Sequence, residues 1–390
     1  MRANLKYILP LIFCVLACRK PYDPPASSSP GSVLVVEGTI NTSGITSIVL
    51  SKTVSLTSAD VSNPVTGATL SIQSSQGASY PLEAQVQAGL YQSANLTLDN
   101  SQQYRISIAT PDGRQYLSDF AGVVNDPPID SVGYKVTGDG IQVYVNTHDP
   151  TNTTKYFRWS YGETWIFHTY YGSNYVTNGT AIVPRTSAQI ISSCFASDTS
   201  YSILLGSTAD LSQSVVNQAP LTSIVAGSEK IESEYSINVH QYALSPDAYT
   251  FWTNLKTNTE NLGSIFSPQP SSNTNSNIHN VSSPAGLVIG YISACAVQTK
   301  RVFIYSQNLP STQAWATVYP YTCQIDTEWY KDPHTGQNDV AANLIPLTSS
   351  FIPVSAYPNT VFISAFLSSD AECTDCTIRG TTAMPPFWKY

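Results

Sequence analysis

The sequence predicts a mainly β protein made of tandem β-sandwiches, with one prominent helix in its C-terminal half. Short segments that alternate apolar and polar residues, such as VLVVEGTI and YRISIAT, recur at even spacing from Ser32 onward. Charged residues make up only 11% of the chain, against about 25% in typical soluble proteins. Uncharged Ser, Thr, Asn and Gln must therefore supply the polar faces of the strands. A single stretch, 246–260, switches to helical periodicity.

Residues 1–17 are predicted to be an export signal. Arg2 and Lys6 precede an apolar core that is too short to span a bilayer. A small residue followed by Cys18 resembles the lipobox of bacterial lipoproteins, so Cys18 is predicted to carry the lipid at the mature N-terminus. An ordinary signal peptide with incidental cysteines is the alternative. The Pro- and Ser-rich residues 18–31 are then a lipidated tether.

Residues 32–124 are predicted to form the first sandwich from five or six short strands. Its last hairpin turns at Asp112-Gly113, a dipeptide that suits a tight turn. The order of the segments VVEG, TGATLSI, GLY and YRISIATPDGRQYLS resembles the transthyretin-like domains at the front of many exported proteins.

Residues 125–240 are predicted to form a second sandwich of the immunoglobulin or fibronectin type III kind. The segment NDPP at its start marks a boundary, because each proline keeps its predecessor extended and removes a backbone donor. A strand that carries Phe157, Trp159 and Tyr161 on one face follows, as expected for the tryptophan-bearing strand of such a sandwich.

The helix is predicted at 246–260. Ser245 is a good N-cap and Pro246 fits the first helical position, while Gly263 is the predicted stop. Trp252 is predicted to face the core, so that Trp252→Ala would cost on the order of 3 to 5 kcal/mol.

The C-terminal region, 241–390, contains this helix and further strands, which form either a part of their own or a part of the second sandwich. The apolar runs GLVIGYISACAV and KRVFIYSQ are predicted to be a central pair of strands. The polar segment between the helix and these runs is predicted to be a long ordered loop or a flap.

The most aromatic segment, 160–183, has two interpretations. In the first, it is a hairpin with Trp165 in the core, covered by Tyr170, Tyr171 and Tyr175. In the second, the same four residues form a stacking platform for a sugar or a peptide, because aromatic rings offer rigid contact area at a small entropic cost.

Five cysteines remain after Cys14 and Cys18 are set aside, namely Cys194, Cys295, Cys323, Cys373 and Cys376. An exported chain with this odd number can form at most two disulfides and keeps one thiol. Cys373 and Cys376 are predicted to pair either with each other or with Cys295 and Cys323. Neither a redox site nor a zinc site has its sequence context here.

No constellation of catalytic or metal-binding residues is evident in the sequence. The five histidines form no HExxH motif, no GxSxG motif occurs, and an acidic loop with Asp332, Asn338 and Asp339 lacks EF-hand spacing. The net charge of −8 without a basic run indicates that nucleic acid is not a partner. The chain is therefore predicted to be a non-enzyme without a cofactor or metal.

Several segments together resemble the Bacteroidota outer-membrane lipoproteins of domain of unknown function family 4249. They are the lipobox cysteine, VVEGTI, YSINVHQYALSPDAYTFWTNLKTNTENLGSIFSPQPS, GYISACAVQTKRVFI and CTDCTIRGTTAMPPFW. The resemblance implies an association with TonB-dependent receptors. This chain departs from the family where a cysteine often follows the SNIHN position, because Asn280 and Val281 stand there.

Together, these observations predict a lipid-anchored protein of the outer membrane, facing the cell surface, that serves a TonB-dependent transporter as a non-enzymatic ligand-capture partner. A stand-alone surface adhesin or a structural cell-envelope protein is the alternative. A hydrolase is a third class, since paired carboxylates cannot be recognised from sequence spacing.

Overall fold

A computed structural model describes residues 32–54, 63–260, 275–284, 286–311, 315–358 and 362–388. The predicted export signal, Cys18 and the predicted tether lie outside these residues. Within them the fold is mainly β, as predicted, and its strands form a first unit, a second unit and a C-terminal unit.

The described residues form mostly β-strands, together with two α-helices. In chain order the strands are β1 (Leu34–Asn41), β2 (Ser43–Lys52), β3 (Thr69–Ser74), β4 (Ser79–Ala84), β5 (Leu90–Thr97), β6 (Gln103–Ala109), β7 (Gln115–Ser118), β8 (Ala121–Val124), β9 (Ile129–Val136), β10 (Gly140–Asp149), β11 (Tyr156–His168), β12 (Tyr175–Thr177), β13 (Ile182–Pro184), β14 (Ser193–Thr199), β15 (Leu204–Ser207), β16 (Ser214–Val225), β17 (Glu234–Leu244), β18 (Ile278–Asn280), β19 (Val288–Gly290), β20 (Ala294–Cys295), β21 (Gln298–Tyr305), β22 (Asp326–Trp329), β23 (Phe351–Tyr357) and β24 (Ala365–Asp370). The helices are α1 (Pro246–Glu260) and α2 (Ala371–Thr374).

The first unit is a closed arrangement of strands. Its pairings follow the order β6-β3-β4-β5-β2-β1-β20-β8, and β8 pairs with β6 again. Alternate residues of each strand point inward, so that Val36 and Leu50, which are opposite each other on β1 and β2, are both buried. The predicted first sandwich therefore has one continuous path of hydrogen bonds, which leaves few open strand edges.

This first unit is completed by a segment from much later in the chain. Strands β19 and β20 add to β1 in parallel, and β18 pairs with β7. Ile292, between β19 and β20, is fully buried in the same core. The prediction that the runs 286–297 and 300–307 form a central pair was wrong, because β19 belongs to this sheet and β21 pairs with β17 in the second unit.

The second unit has the arrangement of a fibronectin type III sandwich. One sheet has the order β16-β10-β9, and the other has the order β14-β11-β17-β21, with β15 also paired to β11. Val143, Phe157, Trp159 and Ile237 are buried in its core. Because β21 is its last strand, one strand of region 241–390 does belong to the second sandwich.

A buried glutamine attaches the linker between the two units to the second core. Gln241 Nε2 donates to Asp126 Oδ1 at 3.0 Å, to the Pro127 carbonyl at 2.7 Å and to Thr147 Oγ1 at 3.3 Å. Its Oε1 accepts from Trp159 Nε1 at 3.0 Å. The predicted boundary at 125–128 is therefore a fixed junction within the described residues.

Helix α1 lies in the connection between β17 and the strands that return to the first unit. Ser245 Oγ accepts from the backbone N–H of Ala248 at 3.2 Å, which confirms the predicted N-cap, and the bounds agree with the predicted 246–260. Phe251 and Ala248 are the buried residues of the helix, whereas Trp252 is half-buried. Trp252 was therefore wrongly predicted to face the core. Gly263 lies outside the described residues.

The C-terminal unit is small. Its sheet has the order β22-β24-β23, and its core consists of Val340, Leu344, Ala356 and Phe366. The chain then returns to the second unit, where Trp388 packs against the rings of Phe195 and Phe303 at 5.1 and 5.3 Å.

Candidate ligand-binding surface

Four tyrosines from two distant segments meet on one side of the second unit. We call Tyr170, Tyr171, Tyr319 and Tyr321 the tyrosine surface. The Tyr170 ring lies 4.7 Å from Tyr171 and 5.2 Å from Tyr319, in both cases edge to face, and Tyr319 lies 5.7 Å from Tyr321. Tyr170 is 53% exposed and the other three are half-buried. A cluster of partly exposed aromatic rings is the kind of surface on which sugars and peptides stack.

The structure divides the four aromatic residues predicted for the platform. Tyr170 and Tyr171 belong to the tyrosine surface. Trp165 is buried in the second core and donates from Nε1 to Glu229 Oε1 at 3.3 Å, as the core interpretation expected. Tyr175 packs on Phe366 of the C-terminal unit at 5.1 Å. The platform predicted from 160–183 alone is therefore wrong in two of its four members.

A groove of about 560 Å³ borders the tyrosine surface at Tyr319. Arg379 lies in it and donates to Glu229 Oε2 at 2.6 Å and to the Tyr321 hydroxyl at 3.1 Å. Val318, 76% exposed, adds an apolar residue to the rim. The groove thus offers an ion pair, hydroxyl groups and apolar surface side by side, which suits an uncharged polar ligand.

An ion pair between His168 and Glu232 lies next to the tyrosine surface. His168 Nδ1 lies 3.5 Å from Glu232 Oε1, and the bond to Glu232 raises the pKa of His168. Burial opposes ionisation of Glu232, but the hydrogen bonds from His168 prevail and lower its pKa. The Tyr319 hydroxyl donates to the His168 carbonyl at 3.4 Å, and burial raises the pKa of Tyr319 to about 12. Tyr319 therefore stays a protonated donor at neutral pH.

Two disulfides fix the segments that carry the tyrosine surface. Cys323 pairs with Cys373, and the Cys323 carbonyl accepts from the Tyr171 hydroxyl at 3.4 Å. Cys194 pairs with Cys376. One thiol remains in the described residues, that of Cys295. Two disulfides and one thiol agree with the count predicted from the odd number of cysteines.

The predicted pairing partners were only partly right. Cys373 does not pair with Cys376, because it lies in α2 beside Cys323, whereas Cys376 lies beyond α2 beside β14. Cys295 was a wrong candidate, since it is buried in β20 of the first unit, where burial raises the pKa of its thiol. Cys194 had not been proposed as a partner.

No group of three or more His, Cys, Asp or Glu side chains in the described residues could hold a metal ion. Asp332 Oδ1 is occupied by the N–H groups of His334 and Thr335 in a local turn. Glu229 and Glu232, the carboxylates nearest the tyrosine surface, are each engaged in an ion pair.

Sequence reasoning missed Tyr319, Tyr321 and Arg379. They lie about 150 residues or more from Tyr170 in the chain, so no local pattern connects them. The alternation of two tyrosines in VYPYT, 318–322, was the available signal, since alternate residues of an extended segment share a face.

The fold and the surface together define a mainly β protein that contains a fibronectin type III-like sandwich with aromatic residues gathered on one side. The chain belongs to domain of unknown function family DUF4249, whose sequence model matches residues 19–301. The match covers the first unit, α1 and most of the second unit. The terminal motif CTDCTIRGTTAMPPFW, part of the resemblance noted above, lies beyond it.

Comparisons with curated protein sequences give no match. Among solved structures, the chain is similar to a segment of two fibronectin type III domains from chicken tenascin, with 14% identity, 55% of this chain and 92% of that chain covered, and a TM-score of 0.17. It is also similar to a DUF4785 family protein from Legionella pneumophila, with 10% identity, 53% and 52% covered, and a TM-score of 0.18. At such TM-scores the fold rests on the strand pairings alone.

The helices of the described residues include none that is both long and apolar enough to cross a membrane.

Proposed function

We propose that this chain is an outer-membrane lipoprotein, anchored through Cys18 and facing the cell surface, that captures a ligand for a TonB-dependent transporter without catalysing a reaction. The observation that carries the proposal is the tyrosine surface, which is partly exposed and assembled from two segments that disulfides hold in place. The tether sequence supports the membrane anchor, and the resemblance to the family supports the transporter as the partner. The ligand classes that suit the surface are glycans and peptides.

Binding by the tyrosine surface can be tested with glycan and peptide arrays. We expect the double variant Tyr170→Ala with Tyr319→Ala to lose binding, because it removes the central pair of rings. Tyr201→Ala is the matched control, since Tyr201 is 84% exposed and lies outside the surface. Equal binding by the double variant and the wild type would exclude the surface as the ligand site.

Partnership with a transporter can be tested by affinity purification from membranes of the native cell. A β-barrel receptor in the eluate supports the proposal, and its absence favours the stand-alone adhesin. Mass spectrometry of the N-terminal peptide tests the lipid on Cys18. Turnover of a glycan or peptide by the purified protein would favour the hydrolase and overturn both other classes.

A further inference from the structure

A second cleft lies away from the tyrosine surface, where the first unit meets the second. Strands β1, β2 and β5 form one wall, β11, β17 and β21 form the other, and the cleft has a volume of about 490 Å³. Its polar lining includes Thr39, Asn41, Asn95, His240 and Thr299, and no Asp or Glu lines it. We call it the Arg158 cleft, because the guanidinium of Arg158 brings a permanent positive charge to it.

Arg158 is held between two aromatic rings. Its Cζ lies 4.2 Å from the ring centre of Tyr242 and 4.4 Å from that of Trp252. Both faces of the guanidinium are therefore covered, and its remaining contacts must be made through its edge. The Nε atom is buried and has no hydrogen-bond partner in the described part of the chain.

In the described part of the chain, no carboxylate forms a salt bridge with this cation, although the charge of Glu37 acts on it from a distance and the Tyr242 hydroxyl accepts a hydrogen bond from it. No carboxylate of the described residues lies within 4.0 Å of an Arg158 nitrogen. Only Asp23 and Asp60, among all Asp and Glu of the chain, fall outside those residues. A buried charge without a salt bridge is unfavourable in general.

The other arginines of the described residues show the contrast. Arg105, which also lies over a ring, that of Phe120 at 4.6 Å, donates to Gln73 Oε1 at 2.9 Å. Oxygen acceptors also lie beside the others, at Arg114, Arg185, Arg301 and Arg379.

We propose that the Arg158 cleft binds an organic carboxylate. A guanidinium whose faces are covered presents a planar fork of donors at its edge, and a planar carboxylate matches this fork in two parallel hydrogen bonds. The side-chain amides of Asn41 and Asn95 and the hydroxyl of Thr39 provide neutral donors around it. Burial, together with the charges of Arg301 and Arg158, lowers the pKa of His240, so the imidazole is neutral and the guanidinium is the charge that attracts the ligand.

A carboxylate bound there touches both units, since Thr39 and Asn95 belong to the first and Arg158 to the second. Its binding thus stabilises their junction. This inference does not depend on the tyrosine surface, and either can fail without the other.

The test is calorimetric titration of the detergent-solubilised full chain at constant ionic strength with succinate, with its neutral diamide and with inorganic phosphate. We expect succinate to bind in a saturable manner and the diamide not to bind. In Arg158→Gln the affinity for succinate falls about tenfold or more, the value of a charge-assisted hydrogen bond. Arg105→Gln is the matched control and keeps the wild-type affinity.

A second variant covers the case in which Arg158→Gln does not fold. Asn95→Asp is isosteric and lies at an exposed position of the lining, so it places a carboxylate in the cleft with little effect on packing. We expect it to abolish succinate binding, whereas Asn100→Asp, the same change on an exposed residue outside the cleft, leaves it intact. Absence of saturable succinate binding, unchanged affinity in Asn95→Asp, or tighter binding of phosphate than of succinate each overturns the proposal.

Discussion

The first unit and the C-terminal unit keep their folds by different means. The first unit has a large apolar core, closes its strand pairings on themselves and has no disulfide among its described residues. The C-terminal unit has a core of only Val340, Leu344, Ala356 and Phe366, and the cysteines of its segment form both disulfides. The difference shows how disulfides can stabilise a unit that buries too little apolar surface.

The largest effect is expected when the disulfide that links the C-terminal unit to the second unit is removed. Cys194→Ala with Cys376→Ala opens a loop of 182 residues, which should cost about 4 kcal/mol in that region. Segment-resolved hydrogen exchange measures this. We expect faster exchange in β22–β24 and no change of the exchange rates in the first unit. Cys295→Ala, which breaks no disulfide, is the control.

The same comparison predicts the thiol count. Of the five cysteines after Cys18, one should react with a thiol reagent in the denatured, unreduced protein. Five reactive thiols would contradict the covalent stabilisation of the C-terminal unit.

The first unit should depend instead on its returning segment. Ile292→Ala removes a fully buried side chain from the core and should lower the free energy of unfolding of that unit by about 3 kcal/mol. Leu287→Ala, in the same segment but 59% exposed, should change it by less than about 0.5 kcal/mol. Denaturant unfolding followed by hydrogen exchange measures the stability of the first unit in each of the two variants. Equal effects would mean that the segment merely lies on the surface of the unit.

The junction between the units should respond to pH. Burial raises the pKa of Asp126 from its ordinary value to about 7, although hydrogen bonds from the Gln241 side chain and from the backbone of Ala243 and Gln298 oppose the shift. The folded state therefore binds more protons than the unfolded state between about pH 4 and pH 7. Stability is full below that window and falls as the pH rises through it.

Asp126→Asn should remove this dependence. The shift sets an upper limit of about 4 kcal/mol at pH 8, and because the junction can admit water on ionisation we expect a gain of about 2 kcal/mol there. Thermal unfolding between pH 5 and pH 8 measures it, with the wild type losing stability and the variant staying level. A wild-type profile that rises with pH would refute the assignment.

The smallest effect is expected at the helix. Since Trp252 is half-buried, Trp252→Ala should cost only about 1 kcal/mol, less than the core position would imply. Phe251→Ala, at 2% exposure, should cost about 3 kcal/mol. If denaturant unfolding showed a larger loss of stability for Trp252→Ala than for Phe251→Ala, the prediction that Trp252 faces the core would be right after all.

The sequence was sufficient to predict features that depend on neighbouring residues in the chain or on composition. Ser245 and Pro246 placed the start of α1, and the odd number of cysteines gave two disulfides and one thiol. They were not sufficient for Trp252, because the helical pattern does not distinguish two neighbouring aromatic residues that both approach the buried face. They also failed for Cys194, whose partner lies 182 residues away.

What the sequence alone determined is the β class, the bounds of the helix and the membership in a family, since alternation, capping residues and motifs are local properties of the chain. What only the tertiary structure decided is which distant segments meet. The return of β18–β20 to the first unit, the tyrosine surface and the Arg158 cleft all bring together segments that lie more than a hundred residues apart in the chain. Such contacts follow from the closure of sheets and cores, which no short pattern encodes.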